Sequence, residues 1–212
     1  MKLIVASNNQ KKRAEIAGIL GSLGIEIVTP EATRFIDVIE DADSFAGNAQ
    51  KKAEAFSKIN ALPALADDSG LCVTALNDAP GIYSARFAGE HATDADNNLK
   101  LLDELSALPN QIDRAAHFFC ALHLAFPDSQ KSITATGKVE GFILPQPVGD
   151  SGFGYDPLFF CPELDQAFAT AKPKEKASIS HRGRALRALA KQLQPAHKIG
   201  YSLDSVVLFQ YQ

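Results

Sequence analysis

A chain of 212 residues that is 46% hydrophobic and 22% charged has ordinary globular composition and enough apolar material for a real core. Its 21 Lys plus Arg against 25 Asp plus Glu give a formal charge of −4, which excludes a global basic field that would hold long nucleic acid by its phosphates. The apolar start Met1–Ala6 is too short for a signal peptide and no run is long enough to cross a membrane. Cys72, Cys120 and Cys161 lack zinc or disulfide spacing, so reduced thiols in a cytoplasmic protein are expected.

Leu3-Ile4-Val5-Ala6 reads as a short buried strand, followed by polar Ser7-Asn8-Asn9 and a helix from Lys11 to about Leu23 with apolar residues at Ile16, Ile19, Leu20 and Leu23. Gly24 ends that helix and Ile25–Val28 reads as a second strand stopped by Pro30, so a parallel β-α-β unit is expected. Residues 40–60 are expected as a helix, with Asp43 or Ser44 as N-cap and Phe45, Ala49, Ala53 and Phe56 on one face. Leu62–Ala66 is then a strand that delivers Asp67 and Asp68 to a Gly-assisted turn, after which Leu71-Cys72-Val73 resumes as strand.

Pro80–Arg86 reads as a Pro-Gly-punctuated loop and Thr93–Leu105 as a helix. His117–Phe126 is almost wholly apolar, as a central strand should be, and Ser132–Val139 alternates like its hairpin partner. A last long helix is expected from about Ser180 to Leu193, and 202–209 as a late strand or docking segment. No linker or internal repeat divides the chain.

Four constellations carry candidate chemistry. Ser7-x-Asn9-x-x-Lys12-x-x-Glu15 places a hydroxyl, an amide, a lysine and helix N-terminal amides at one junction, which suits an anion. A simply capped helix start has the same residues, and the glycines of a P-loop are absent. Glu40, Asp41, Asp67 and Asp68, with Lys52 between them in sequence, suit a magnesium held by one or two carboxylates plus substrate phosphates. They also suit ordinary charged loops. Ser151-Gly152-Phe153-Gly154-Tyr155-Asp156-Pro157 can expose an aromatic ring for stacking on a base, or form a bulge with core aromatics. Lys176, Ser180, His181 and Arg182 gather cations where a helix N-terminus prefers acids, which calls for a ligand or else for a solvated basic turn.

Taken in order, SxNxxKxxE at Ser7 to Glu15, Ala66-Asp67-Asp68-Ser69-Gly70-Leu71, Ala79-Pro80-Gly81-Ile82-Tyr83-Ser84-Ala85-Arg86, Phe153-Gly154-Tyr155-Asp156-Pro157 and Ser180-His181-Arg182-Gly183 resemble the non-canonical purine nucleoside triphosphate pyrophosphatases, the Ham1-like group, over residues 3 to about 190. The resemblance implies an α/β fold with two lobes around a long central mixed β-sheet and flanking helices, and a homodimer. It also implies magnesium-dependent hydrolysis of ITP, dITP or XTP at the α–β phosphoanhydride. Under it Ser7, Asn8, Asn9, Gln10, Lys11 and Lys12 cradle the triphosphate and Lys52 adds a phosphate contact. Asp68 is the catalytic base, Glu40 and Asp68 hold the metal, and Ser69 touches substrate. Phe153, Gly154, Tyr155, Asp156, Lys176, His181 and Arg182 match base-binding positions.

Two departures from the family's pattern stand out. Ile39-Glu40-Asp41-Ala42-Asp43 replaces a Glu-Glu-Gly segment, and Gly47 stands where relatives often carry Glu. Independently of any resemblance, a 6-oxo purine offers an acceptor to the donors Lys176, His181 and Arg182, whereas adenine's 6-amino group does not. A nucleotide sensor without catalysis and a Maf-like pyrophosphatase of broader substrate range are the competing readings. A nucleic acid or membrane partner is not expected.

Overall fold

The computed structural model describes residues 2–21, 24–127, 129 and 131–198, with side chains up to 193, so the expectation for 202–209 lies outside the described residues. In chain order the elements are β1 (Lys2–Val5), α1 (Gln10–Gly21), β2 (Glu26–Ile27), α2 (Phe45–Asn60), β3 (Ala64–Val73), α3 (Asp94–Glu104), β4 (Ala115–Ala125), β5 (Ser132–Ile143), β6 (Phe159–Cys161), β7 (Gln166–Ala167), α4 (Pro173–Ile179) and α5 (His181–Lys198). They form a seven-stranded sheet in the order β2-β1-β3-β4-β5-β6-β7. Both neighbours of β1 are parallel to it, with Lys2 opposite Glu26 and Ile4 opposite Ala64, whereas β6 is antiparallel to β5 and β7. The sheet is therefore mixed and the expected parallel β-α-β unit is present.

The chain divides into two compact units. One holds the residues up to Asp68, Ala121–Thr136 and those from Ala185 on; the other holds Ser69–Cys120 and Gly137–Arg184. In the first, Ile4, Ala6, Ala64 and Ala66 pack with Ala53 and Phe56 of α2, the apolar face predicted from their spacing. In the second, Leu71, Val73, Phe118, Val139, Phe159 and Phe168 form the core with Leu101 of α3 and Leu105 at its C-cap. Arg114 is buried at the edge of that core, where it donates to the carbonyls of Leu105, Leu108, Ile143 and Leu144 and so ties the end of α3 to the end of β5.

Three expectations are corrected. Asp67-Asp68-Ser69-Gly70 is no turn: β3 runs unbroken through it, nearly all buried. Turn propensity is overridden because both acids find lysine partners, which removes the cost of leaving them inside. Helix α2 starts at Phe45 rather than residue 40, since Ser44 caps it by accepting from the Gly47 amide. Gly47 is explained by the same cap: a Cβ there would lie 2.8 Å from the Ala42 Cβ, so a side chain is excluded by the chain entering the helix. Lys176 lies on the separate helix α4, which ends at Ile179 and is capped by Ser180, so it does not belong to the start of the last long helix.

Helix α2 closes on Ala61 with φ at 52°, a left-handed position usually held by glycine. Ala61→Gly is expected to raise stability by about 1 kcal/mol, since the Cβ penalty in that conformation is removed. A urea unfolding midpoint no higher than wild type would contradict this.

Candidate functional site

The first cluster is built where β3 and α2 bring charge together. Asp67 and Asp68 are 1% and 7% exposed. Lys52, on the buried face of α2, places its Nζ 3.4 Å from Asp68 Oδ1 and 3.0 Å from Glu40 Oε2. Lys12, on the first turns of α1, places its Nζ 3.4 Å from Asp67 Oδ2. Asn48, one helical turn before Lys52, donates from Nδ2 to Asp68 Oδ2 at 3.2 Å and accepts from the Ala42 amide at 3.0 Å.

Sequence reasoning missed Asn48. Its signal was a second polar residue at i,i+4 spacing from Lys52 on a buried helix face that also carries Ala49, Ala53, Phe56 and Ser57.

Burial raises the Asp68 pKa against the pull of Lys52 and Lys12. Burial alone would lower Lys52, but Asp68, Asp67 and Glu40 outweigh it and hold its pKa above the ordinary lysine value. Asp68 is therefore a carboxylate with an unusual readiness to take a proton, set beside an ammonium that stays charged.

A carboxyl whose pKa is higher folded than unfolded destabilises the fold when ionised. The cost is absent below the unfolded pKa, grows as pH rises toward the folded pKa, and is complete above it. Asp68→Asn is thus expected to melt higher than wild type at neutral pH, with the difference shrinking to nothing as pH falls through the carboxylate range. A difference that is independent of pH would contradict the assigned shift.

The acid set also tests the magnesium implied by the resemblance. Among the described residues no three His, Cys, Asp or Glu side chains gather into a metal-binding group. Glu40 and Asp68 instead share the Lys52 ammonium. Two carboxylates from different elements, all hard oxygen donors, fit a magnesium completed by phosphate oxygens and water rather than a protein-only cage. Asp41 goes elsewhere: it is exposed and pairs with Lys51, whose hydrogen bond lowers its pKa.

At the start of α1, Asn9 caps the helix, accepting from the Lys12 amide at 3.1 Å, while its own amide donates to Ser7 Oγ at 3.2 Å. Arg13 Nη1 holds the Ser7 carbonyl at 3.1 Å and its guanidinium lies 4.8 Å from the Phe35 ring. Asn8 donates to Asp37 at 3.2 Å, and Gln10 and Lys11 are exposed. The Ser7 and Asn9 oxygens thus shape the turn as acceptors, which leaves the Ser7 hydroxyl proton and Asn9 Nδ2, with the amides and lysines of this junction, as donors suited to an anion.

The second cluster belongs entirely to the other unit. Lys176 Nζ donates to Asp156 Oδ2 at 2.6 Å, and the same oxygen accepts from the Phe153 amide at 2.8 Å. Gly152 has φ at 82°, and a Cβ on it would sit 2.1 Å from Asp156 Oδ2, so this turn requires glycine. Lys176 Nζ and Arg182 Cζ lie 5.2 and 5.9 Å from the Phe153 ring centroid.

Arg182 is 2% exposed and donates to Ser69 Oγ at 2.7 Å. The His181 ring stacks on Phe118 at 4.8 Å and 14°. The solvated-turn alternative for these cations is overturned, since Lys176, Ser180, His181 and Arg182 are all buried. Tyr155 is placed differently from the rest: its ring is in the core and its hydroxyl donates to the Ser84 carbonyl at 2.8 Å. Burial pushes its pKa up, so it stays a neutral phenol.

Fold and site define an α/β protein that carries a buried, lysine-paired acid couple on a central strand and a buried cationic cluster around an aromatic turn. The chain belongs to the Ham1 family, whose model matches residues 3–192. It is 49% identical over 188 residues to the dITP/XTP pyrophosphatase of Desulforamulus reducens, covering 88% of this chain and 92% of that protein. It is 46% identical over 193 residues to the dITP/XTP pyrophosphatase of Geobacter sulfurreducens, covering 91% of this chain and 96% of that protein. Among solved structures, a HAM1 protein from Coxiella burnetii superposes with a TM-score of 0.83 at 40% identity, covering 92% of this chain and all of that one. The Staphylococcus aureus Ham1 protein gives 0.78 at 38% identity, with 92% and 99% covered.

Proposed function

We propose that the chain hydrolyses the non-canonical purine nucleoside triphosphates dITP, ITP and XTP at the α–β phosphoanhydride, yielding the nucleoside monophosphate and pyrophosphate and keeping these bases out of DNA and RNA. The observation that carries this reading is Asp68, a buried carboxylate with a raised pKa, set beside Lys52 and within the acid pair. Relatives named dITP/XTP pyrophosphatases at 46–49% identity support it.

Asp68 takes the proton from a water as its oxygen attacks the α-phosphorus, and the bond to the bridging oxygen breaks with pyrophosphate leaving. Lys12, Lys52 and the amides after Ser7 neutralise the phosphate charge. Glu40 and Asp68 are the residues that would hold magnesium, which when bound supplies further charge neutralisation on phosphate oxygens. Ser69 contacts substrate. Phe153 stacks on the base while Lys176, His181 and Arg182 supply donors toward a 6-oxo group, with Asp156 and Gly154 fixing the turn that presents the ring.

The same reading includes a homodimeric assembly and residence in the cytoplasm, both supported by the family resemblance. Among the described residues no helix is long and apolar enough to cross a membrane.

Hydrolysis of dITP in ¹⁸O-water with magnesium tests the chemistry. The label is expected in the monophosphate, and chelation of the metal is expected to stop turnover. Label in the pyrophosphate would place attack on the β-phosphorus and refute the assignment.

A further inference from the structure

The turn that carries Phe153 is gripped from outside by one helix. Gly154 has φ at 61°, and its amide donates to Asp94 Oδ2 at 2.7 Å while its carbonyl accepts from Asn98 Nδ2 at 2.9 Å. Asp94 and Asn98 are four residues apart on α3, so they project from the same side of that helix. The two polar groups of a single peptide position are therefore fixed by an acceptor and a donor of opposite character, one turn apart.

The grip is itself built on a rigid base. Thr93 and Asp96 form a reciprocal capping box at the start of α3. Asn97 accepts from the Ala88 amide at 2.8 Å and donates to the Ala85 carbonyl at 3.2 Å, which locks α3 to the 3-10 turn at Gly81–Arg86. That turn is joined to the same loop from the other side, since Ser84 accepts from Tyr155 through its carbonyl and from the Leu71 amide through its hydroxyl.

We infer that Asp94 and Asn98 are positioning residues for base recognition: they hold Gly154, and through it the Phe153 ring, in the place where a purine is stacked. Neither touches the reacting phosphates, so they act on affinity for the base. This inference rests on the proposed function, in which Phe153 is the stacking residue. Asp94 needs only an acceptor, whereas Asn98 needs its amide donor. The two positions therefore respond in opposite ways to exchange of acid and amide.

The test uses full-length Asp94→Ala, Asp94→Asn and Asn98→Asp. Asp94→Ala and Asn98→Asp are expected to raise KM for dITP about tenfold with kcat within about twofold, since each loses one hydrogen bond on a charged or buried group. Asp94→Asn, which keeps the acceptor, is expected to stay within about twofold of wild type. Amide exchange across residues 150–157 is expected to quicken in the first two variants and not in the third, whatever the activity. Unchanged exchange, or a loss borne by kcat with KM unaltered, would overturn the inference. A wild-type protein that shows no dITP turnover while exchange follows the predicted pattern would instead refute the stacking role and the activity, leaving only the grip on Gly154.

Discussion

Asp68→Asn is expected to lower kcat on dITP by about a thousandfold while the nucleotide's dissociation constant changes by no more than about threefold. The amide is isosteric, but its single oxygen can accept from Lys52 or from Asn48 and not from both, so the acid couple loses its proton acceptor and one hydrogen bond while keeping its volume. Because ionised Asp68 destabilises the folded chain, the same variant is expected to be no less stable than wild type at neutral pH. Loss of function with retained stability separates a catalytic carboxylate from a structural one. A variant with kcat within tenfold of wild type would remove Asp68 from the reaction.

The second large effect is expected at Lys176. Its ammonium is buried against Asp156, whose carboxylate also holds the Phe153 amide. Lys176→Met keeps the length of the side chain and removes the charge, so Asp156 stays buried without that ammonium. Removing one partner of such a pair costs about 3 kcal/mol, which for a chain of this size lowers the melting temperature by about 6–12 °C. Asp156→Asn combined with Lys176→Met is expected to recover much of that loss, because no uncompensated charge is left. A single variant that melts like wild type would show that the pair contributes nothing to holding the turn.

These effects mark where the sequence was informative and where it was not. Apolar spacing located α1 and α2, and continuous apolar runs located β1 and the long strand β4, because what each of these elements buries is written in its local pattern. Asp67-Asp68-Ser69-Gly70 misled, since its composition is that of a turn while its burial depends on Lys12 and Lys52, which arrive from other elements.

Asn48 left only its i,i+4 spacing from Lys52 as a signal, because a polar side chain on an apolar face acquires its meaning once Asp68 stands opposite it. The motif Phe153–Asp156 was found as a unit, yet its members diverge in space. Phe153 is partly exposed at the turn, Asp156 anchors it, and Tyr155 points into the core. In the Glu40-Asp41 segment, one acid joins Lys52 and the next joins Lys51, a division that alternation along an irregular chain cannot announce.

The proposed activity is selective hydrolysis of the non-canonical 6-oxo purine triphosphates dITP, ITP and XTP to monophosphate and pyrophosphate. The most direct measurement is the specificity constant of the full-length protein, with magnesium, on dITP, XTP, dGTP, dATP and the pyrimidine triphosphates, with pyrophosphate and orthophosphate resolved. Pyrophosphate is expected as product, with dITP and XTP favoured over dATP and the pyrimidine triphosphates by at least about a hundredfold, the scale set by leaving buried donors unpaired. Equal turnover of all bases, release of orthophosphate, or tight binding of dITP without any product would contradict it.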